Sequence, residues 1–259
     1  MLTTSGFDAR WTTLLDDAIA GVGVGIHVQP VVDLTAGQVV AYETLARFSH
    51  EDAGGVSPDV WFGRAREHGL AADLQATVLR KALGLLPTLP AGTLLGLNLE
   101  PDTIASTQVR EALLEHVDLS NVVVELTEHG SWSWDEIGPT VEELKARGAR
   151  TAIDDAGAGY AVIHQIAQLE PYALKLDRVI VDGVAQDVGR QALVSMIIGM
   201  AKRAGAVVVA EGVENMIDAQ RLIASGVTLA QGYLIAAPGE PWPQPDEAKL
   251  RVLAAAAEL

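Results

Sequence analysis

The sequence predicts an α/β fold, a single (β/α)8 TIM-like barrel with an antiparallel first strand pair. Eight short apolar or β-branched runs alternate with amphipathic stretches of helical period. Several runs are almost continuously apolar, as strands covered on both faces are. The length of 259 residues matches the ~250 that such a barrel takes.

Strands are expected at Gly25–Val32, Val39–Phe48, Thr93–Leu99, Val122–Leu126, Arg150–Ile153, Ala173–Leu176, Val207–Ala210 and Leu229–Leu234. Only Asp33–Gln38, with Gly37 inside it, joins the first two. That is too short for a crossover helix, so the pair is read as antiparallel. Helical patterns at Asp59–His68 and Ala71–Leu86 precede the third strand, and one at Pro101–His116 follows it. Ser133, with Glu136 three residues on, reads as a capping box opening a helix that runs to Gly148. Later helices are expected at Ala161–Leu169, Asp187–Ala204, Asn215–Ser225 and near Asp246–Glu258. Gly148, Gly205 and Gly226 stand where helix C-caps belong. Residues 1–20 read as an N-terminal extension or helix, and residues 21–259 as one barrel domain.

Composition narrows the function. A chain that is 49% hydrophobic can bury a large core, which excludes disorder as its main state. The absence of cysteine excludes disulfides, thiolate nucleophiles and cysteine-held zinc. No run approaches the ~18 uninterrupted apolar residues of a membrane helix. Met1–Arg10 lacks a basic segment followed by an apolar one, so no signal peptide is read and a cytoplasmic location is expected. The formal charge of −16 repels DNA and anionic membranes, and neither is expected as a partner. A phosphate-bearing ligand would need metal ions or a local basic group.

The informative feature is what ends each strand. Asn98 closes Leu94–Leu97, Glu125 closes Val122–Val124, and Asp154-Asp155 follow Thr151–Ile153. Lys175 and Asp177 lie in Ala173–Asp177, Glu211 follows Val207–Ala210, Gln231 lies in the last strand, and Glu43 interrupts the second. In a barrel such groups converge on the C-terminal face, where active sites are built. One strand-end carboxylate is ordinarily a cap or an ion-pair partner. Several together repel and raise one another's pKa values, so something positive must hold them. Carboxylate and amide oxygens suit Mg²⁺, Mn²⁺ or Ca²⁺. Adjacent Asp154 and Asp155 could bridge two ions ~3.5–4 Å apart, the arrangement for in-line attack on a phosphodiester. Lys175 could orient the water or stabilise phosphate charge. The residues thus read as a two-metal phosphoester hydrolase, with an enolase-type carboxylate–metal–lysine enzyme as the other candidate.

From about Val24 to Pro238 the chain resembles the EAL-domain phosphodiesterases of bacterial cyclic di-GMP signalling. Gln29-Pro30-Val31-Val32-Asp33-Leu34 is similar to QPIVDL, and Glu43-Thr44-Leu45-Ala46-Arg47 stands at the EALLR signature. Asn98-Leu99, Glu125-Leu126-Thr127-Glu128, Asp154-Asp155, Leu174-Lys175-Leu176-Asp177, Ala210-Glu211-Gly212-Val213-Glu214 and Gln231-Gly232-Tyr233 follow in the family's order. The resemblance implies hydrolysis of cyclic di-GMP to linear pGpG. Glu43, Asn98, Glu125 and Asp154 would hold one ion; Asp154, Asp155 and Glu211 would hold the other. The ions would be Mg²⁺ or Mn²⁺, with Ca²⁺ inhibiting. Lys175 and Glu211 would position or deprotonate the water. Arg47 would meet a phosphate, while Gln29, Leu45, Asp177, Glu214 and Gln231 would line the dinucleotide groove. Glu128 would anchor the loop after Asp155. A homodimer is implied, and regulation would come from oligomerisation or a separate protein.

The chain departs from the family at Thr44, which replaces the signature alanine as one small residue for another, and in Asp155-Ala156-Gly157-Ala158-Gly159-Tyr160-Ala161. Ala156 removes a large apolar contact, and Ala158 removes a hydroxyl that could bond Glu128. These changes predict weakened metal coupling with catalysis retained. The alternative is a degenerate domain that binds cyclic di-GMP and signals to a protein partner.

Overall fold

The computed structural model describes residues 4–127, 133–156 and 160–257. Eight strands close into a barrel in chain order. β1 (Val24–Asp33) and β2 (Gln38–Phe48) form a long antiparallel hairpin, in register from Val24↔Phe48 to Asp33↔Gln38, with a bulge at Val31/Val32. Asp33 makes the turn: its carboxylate accepts from Thr35 N, Thr35 Oγ1 and Ala36 N, an Asx-turn that leads into Gly37 at φ +64°. β3 (Leu94–Leu99), β4 (Val122–Thr127), β5 (Arg150–Asp154), β6 (Ala173–Leu176), β7 (Val207–Ala210) and β8 (Leu229–Ala230) run parallel to β2. β8 then pairs antiparallel with β1 to close the ring. The antiparallel opening expected from the short first connection is therefore what forms.

The helices are α1 (Thr4–Ile19), α2 (Pro58–Glu67), α3 (Ala71–Leu83), α4 (Thr107–Leu114), α5 (Trp134–Ala146), α6 (Tyr160–Leu169), α7 (Arg178–Val181), α8 (Val188–Ala204), α9 (Met216–Ser225) and α10 (Glu247–Ala257). They cover the outward strand residues. Leu95, Leu97, Val124, Leu126, Ile153 and Leu174 join Leu79, Leu113, Val141 and Ile197 in one buried cluster. α1 belongs to a second cluster. Trp11, Leu14, Leu15 and Ala18 recur at helical spacing and pack with Trp61 and Leu74 of α2 and α3. Trp11 meets Trp61 edge-on at 5.1 Å, and Trp61 stacks on Phe48 at 4.7 Å.

Several boundaries differ from the sequence reading. The last strand stops at Ala230, not Leu234, because the chain turns at Gly232, where a Cβ would strike the backbone of Val213. Gln231 therefore sits just past β8. The helix expected from Pro101 starts at Thr107: Glu100 O accepts from Thr103 N and Oγ1, and Ser106 caps the true start through Val109 N. Ser133 does cap α5, but through Asp135 N at 3.3 Å. α7 went unseen in the sequence; Asp177 caps it by accepting from Val179 N. Gly205 (φ +72°) and Gly226 (φ +96°) end their helices as expected. Among the described residues no helix is long and apolar enough to cross a membrane.

Candidate active site

Successive strand residues face opposite ways, so residues two apart share the barrel lumen. Ala41 and Glu43, Gly96 and Asn98, Val123 and Glu125, Ala152 and Asp154, Ala173 and Lys175, and Val209 and Glu211 are such pairs. The first members lie low in the lumen, where Val31, Val123, Ala152, Ala173 and Val209 make an apolar plug. The second members form a polar layer at the C-terminal ends of the strands.

Lys175 is the hub of that layer. It is only 3% exposed, and its Nζ lies 2.5 Å from Glu125 Oε2, 2.6 Å from Glu211 Oε1, 3.0 Å from Asp154 Oδ1 and 3.5 Å from Glu43 Oε1. Burial alone would lower its pKa; the four carboxylates outweigh that and hold it well above the ordinary lysine value. Lys175 is thus a fixed cation. One positive charge does not balance the group around it. Burial first, then Glu43 and Asp154, push the Glu125 carboxyl up to about 8 despite Lys175. Burial, with Asp154 and Glu43, raises Glu211 well above its usual range.

Glu43 is held at both oxygens. Asn98 Nδ2 donates to Oε1 at 2.8 Å and Gln231 Nε2 to Oε2 at 2.5 Å. Gln231 Nε2 also reaches Gln29 Oε1 at 2.9 Å, and Gln29 Nε2 donates to Ala236 O at 2.9 Å. Of the two glutamines expected in the groove, both buried, Gln231 braces Glu43 and Gln29 braces Gln231. Gly96 is required here, since a Cβ would fall on the Glu125 carboxylate.

A cleft of about 300 Å³ adjoins Asn98 and is lined by Leu45, Arg47, Pro58, Asp59, Phe62 and Glu100, among others. Arg47 Nη1 donates to Ala46 O at 2.9 Å. Asp177 caps α7, and Glu214 pairs with Arg178 at 2.9 Å. Glu128 and Ala158 lie outside the described residues, so the expected contact between them does too. Ala156 is fully buried and its N–H donates to Lys175 O at 2.8 Å, so the small side chain sits in the core.

Three site residues were missed in the sequence. Thr44 Oγ1 donates to Gly96 O at 2.7 Å, so its substitution for alanine adds a hydrogen bond as well as a methyl group. Gln75, 2% exposed, donates to Asn98 O at 3.0 Å. An amide on the apolar face of Leu74, Val78 and Leu79 was the available signal. Glu100 joins Arg66 at 2.8 Å.

The donor set fits divalent cations. Asp154, Asp155 and Glu211 each offer a carboxylate oxygen, all within 4.8 Å of one another. Asp154 Oδ1 is buried and accepts no hydrogen bond among the described residues, although Lys175 Nζ is near. Asp155 is held at φ +54°, a conformation uncommon outside glycine that aims adjacent carboxylates into one site. Hard anionic oxygens in excess over cations are what Mg²⁺, Mn²⁺ or Ca²⁺ bind.

Comparison with known proteins agrees with this geometry. The sequence model of the EAL domain matches residues 14–238. PdeN of Escherichia coli (strain K12), named a probable cyclic di-GMP phosphodiesterase, is 30% identical over 222 residues, covering 82% of this chain and 43% of that protein. The solved phosphodiesterase MucR of Pseudomonas aeruginosa, in complex with c-di-GMP, superposes with a TM-score of 0.78 at 28% identity, covering 92% of this chain and 99% of that one. The manganese and c-di-GMP complex of BlrP1 from Klebsiella pneumoniae superposes at 0.73 and 26% identity, over 85% of this chain and 56% of that one. The chain spans less than half the length of the first curated relatives it matches.

Proposed function

The chain belongs to the EAL-domain family, and from that premise we propose that it hydrolyses one phosphodiester of cyclic di-GMP to give linear pGpG, using two divalent ions, Mg²⁺ or Mn²⁺. The observation that carries this reading is the ring of Glu43, Glu125, Asp154 and Glu211 around the buried Lys175 ammonium, with Asp155 alongside.

Glu43, Asn98, Glu125 and Asp154 would hold one ion, and Asp154, Asp155 and Glu211 the other. Bound divalent ions supply Lewis-acid stabilisation of phosphate charge and ease deprotonation of water. The chain's own groups supply the rest. Lys175 stays protonated, so its part is electrostatic: it orients water and opposes charge developing on the phosphate. Glu211, 2.6 Å from Lys175 Nζ, would position or deprotonate the attacking water together with that lysine. Asn98 and Gln231 fix Glu43, so little reorganises when substrate arrives. Arg47 in the adjoining cleft meets a phosphate, which offsets the repulsion between an anionic dinucleotide and a chain of net charge −16. Leu45 lines the same cleft, and Asp177 and Glu214 would contribute to the dinucleotide groove. Calcium, larger and less strict in geometry, would fill the site and inhibit. A homodimer and a separate regulatory protein complete the proposal.

The test is incubation with cyclic di-GMP and Mg²⁺, Mn²⁺ or Ca²⁺ followed by chromatography, with Glu43→Ala as control. Linear pGpG formed with Mg²⁺ or Mn²⁺ and lost in the variant is expected. Tight nucleotide binding without product would overturn hydrolysis and leave a receptor.

A further inference from the structure

The barrel forks where the cleft begins. β2 and β3 pair at Ala41↔Leu94, Tyr42↔Leu95 and Glu43↔Gly96, and there their ladder stops. Both strands continue, β2 along β1 to Phe48 and β3 along β4 to Leu99. Past the last pair they part, and the cleft of about 300 Å³ opens between Thr44–Arg47 on one prong and Asn98 and Leu99 on the other.

At the last rung, Glu43↔Gly96, the Thr44 hydroxyl donates to Gly96 O at 2.7 Å in a buried setting, a side-chain bond across the end of the ladder. The Thr44 carbonyl in turn accepts from Asn98 Nδ2 at 3.2 Å, the same amide group that donates to Glu43. Asn98 Nδ2 thus ties the two prongs together, bridging Thr44 O and Glu43 Oε1. A side chain at residue 96 would meet the Glu125 carboxylate, so the strand passes close against that group at the fork.

We infer that Thr44 is a positioning residue: its hydroxyl pins the crotch of the β2–β3 fork and so fixes Glu43 and Asn98, two proposed metal ligands on its opposite prongs. This rests on the metal-dependent reading above. An alanine or valine at this position removes the only hydroxyl the structure supplies to Gly96 O among the described residues, and the prongs gain freedom. Valine tests this most cleanly, since it keeps the β-branched shape and strand preference of threonine and lacks only the polar atom.

The experiment uses the full chain and four proteins: wild type, Thr44→Val, Thr44→Ala and Thr44→Ser. Two readouts are taken without nucleotide, Mn²⁺ affinity by calorimetry and melting temperature in EDTA. Affinity is expected to fall about tenfold in the valine and alanine variants, the scale of one lost buried hydrogen bond, and to return to the wild-type value in the serine variant. A merely structural threonine would lower the melting temperature in EDTA and leave Mn²⁺ affinity unmoved, and that result overturns the inference. Should the valine variant fail to fold, alanine and serine variants with equal affinity overturn it as well. A wild-type chain that binds no Mn²⁺ removes the metal-dependent reading along with the fork; a wild-type chain that binds it no better than Thr44→Val removes the fork alone.

Discussion

Two layers of one lumen, separated by two residues on each strand, are built on opposite principles. The lower layer, Val31, Val123, Ala152, Ala173 and Val209, is apolar and buried. The upper layer sets four carboxylates around a single ammonium, with Asp155 alongside. The same strands supply both, so backbone geometry is shared and only side-chain chemistry differs. The contrast shows where stability and function are separately held. Apolar burial below stabilises the barrel at ~25 cal/mol per Å². The upper layer is stabilised only when its excess charge is met by protons or by cations.

Removing the hub tests the upper layer most severely. Lys175→Met leaves the carboxylates without their cation, and turnover should fall by ~10²–10³-fold, as when a donor to the reacting oxygen is lost. Metal-free stability at alkaline pH should drop by about 3–5 kcal/mol, the scale for breaking a buried pair by deleting one partner. Denaturant unfolding in EDTA measures this. A variant as stable as wild type would mean that the upper layer is not crowded with charge.

Protons sharpen the same point. Glu125 has its folded pKa raised from 4.5 to about 8, so between these values the folded chain keeps a proton that the unfolded chain has lost. That contribution is full below 4.5 and gone above about 8, so stability should fall as pH rises through this window. Melting temperature in EDTA, followed from pH ~5 to ~8.5, should decline. The decline should shrink in Glu125→Gln and in saturating Mn²⁺, which replaces protons as the counter-charge and adds about 2.7 kcal/mol at a hundredfold excess over Kd.

The lower layer should respond in the opposite way. Ala173→Leu forces bulk into a lumen whose free space at this level is about 40 Å³. Overpacking should cost about 1–3 kcal/mol at every pH. Mn²⁺ affinity should stay near that of wild type, because Lys175 lies one layer higher on the strand, opposite Val209, while Ala173 pairs with Ala152 and Val207. A large loss of metal affinity would show that the two layers are mechanically coupled.

Much of this was legible in the residues, for reasons that differ by feature. The barrel was readable because its strands are buried on both faces and so appear as apolar runs such as Val122–Val124 and Val207–Ala210. The antiparallel opening followed from the shortness of Asp33–Gln38. The carboxylates and the lysine of the upper layer showed as polar groups where an apolar run ends. What did not show was anything set by neighbours distant in sequence. Gln75 and Asn98 meet across 23 residues, and Gln231 and Glu43 across 188. Thr44 looked like a size-for-size exchange because its partner, Gly96 O, is a backbone atom 52 residues away. The end of β8 escaped because Leu229–Leu234 is apolar enough for a strand, while the turn at Gly232 answers to the close approach of Val213.

The smallest expected effect sits at the rim of the charged layer. Asp155 adopts φ +54°, and asparagine and aspartate are the side chains that tolerate this region best after glycine. Asp155→Asn therefore keeps the backbone conformation and the shape, and removes one negative charge from the group it forms with Asp154 and Glu211. Without metal the repulsion within that group should ease, and stability should rise by about 0.5 kcal/mol, a surface-like value because the residue is only half-buried. With metal the order should reverse: the asparagine variant loses an anionic ligand, and Mn²⁺ should raise its melting temperature less than it raises that of wild type. A crossing of the two stabilities between EDTA and saturating Mn²⁺ is the signature of a layer built for cations at the expense of the empty fold. Two curves that keep the same order in both conditions would place Asp155 outside the metal-binding group and return the upper layer to Lys175 and its four nearest carboxylates.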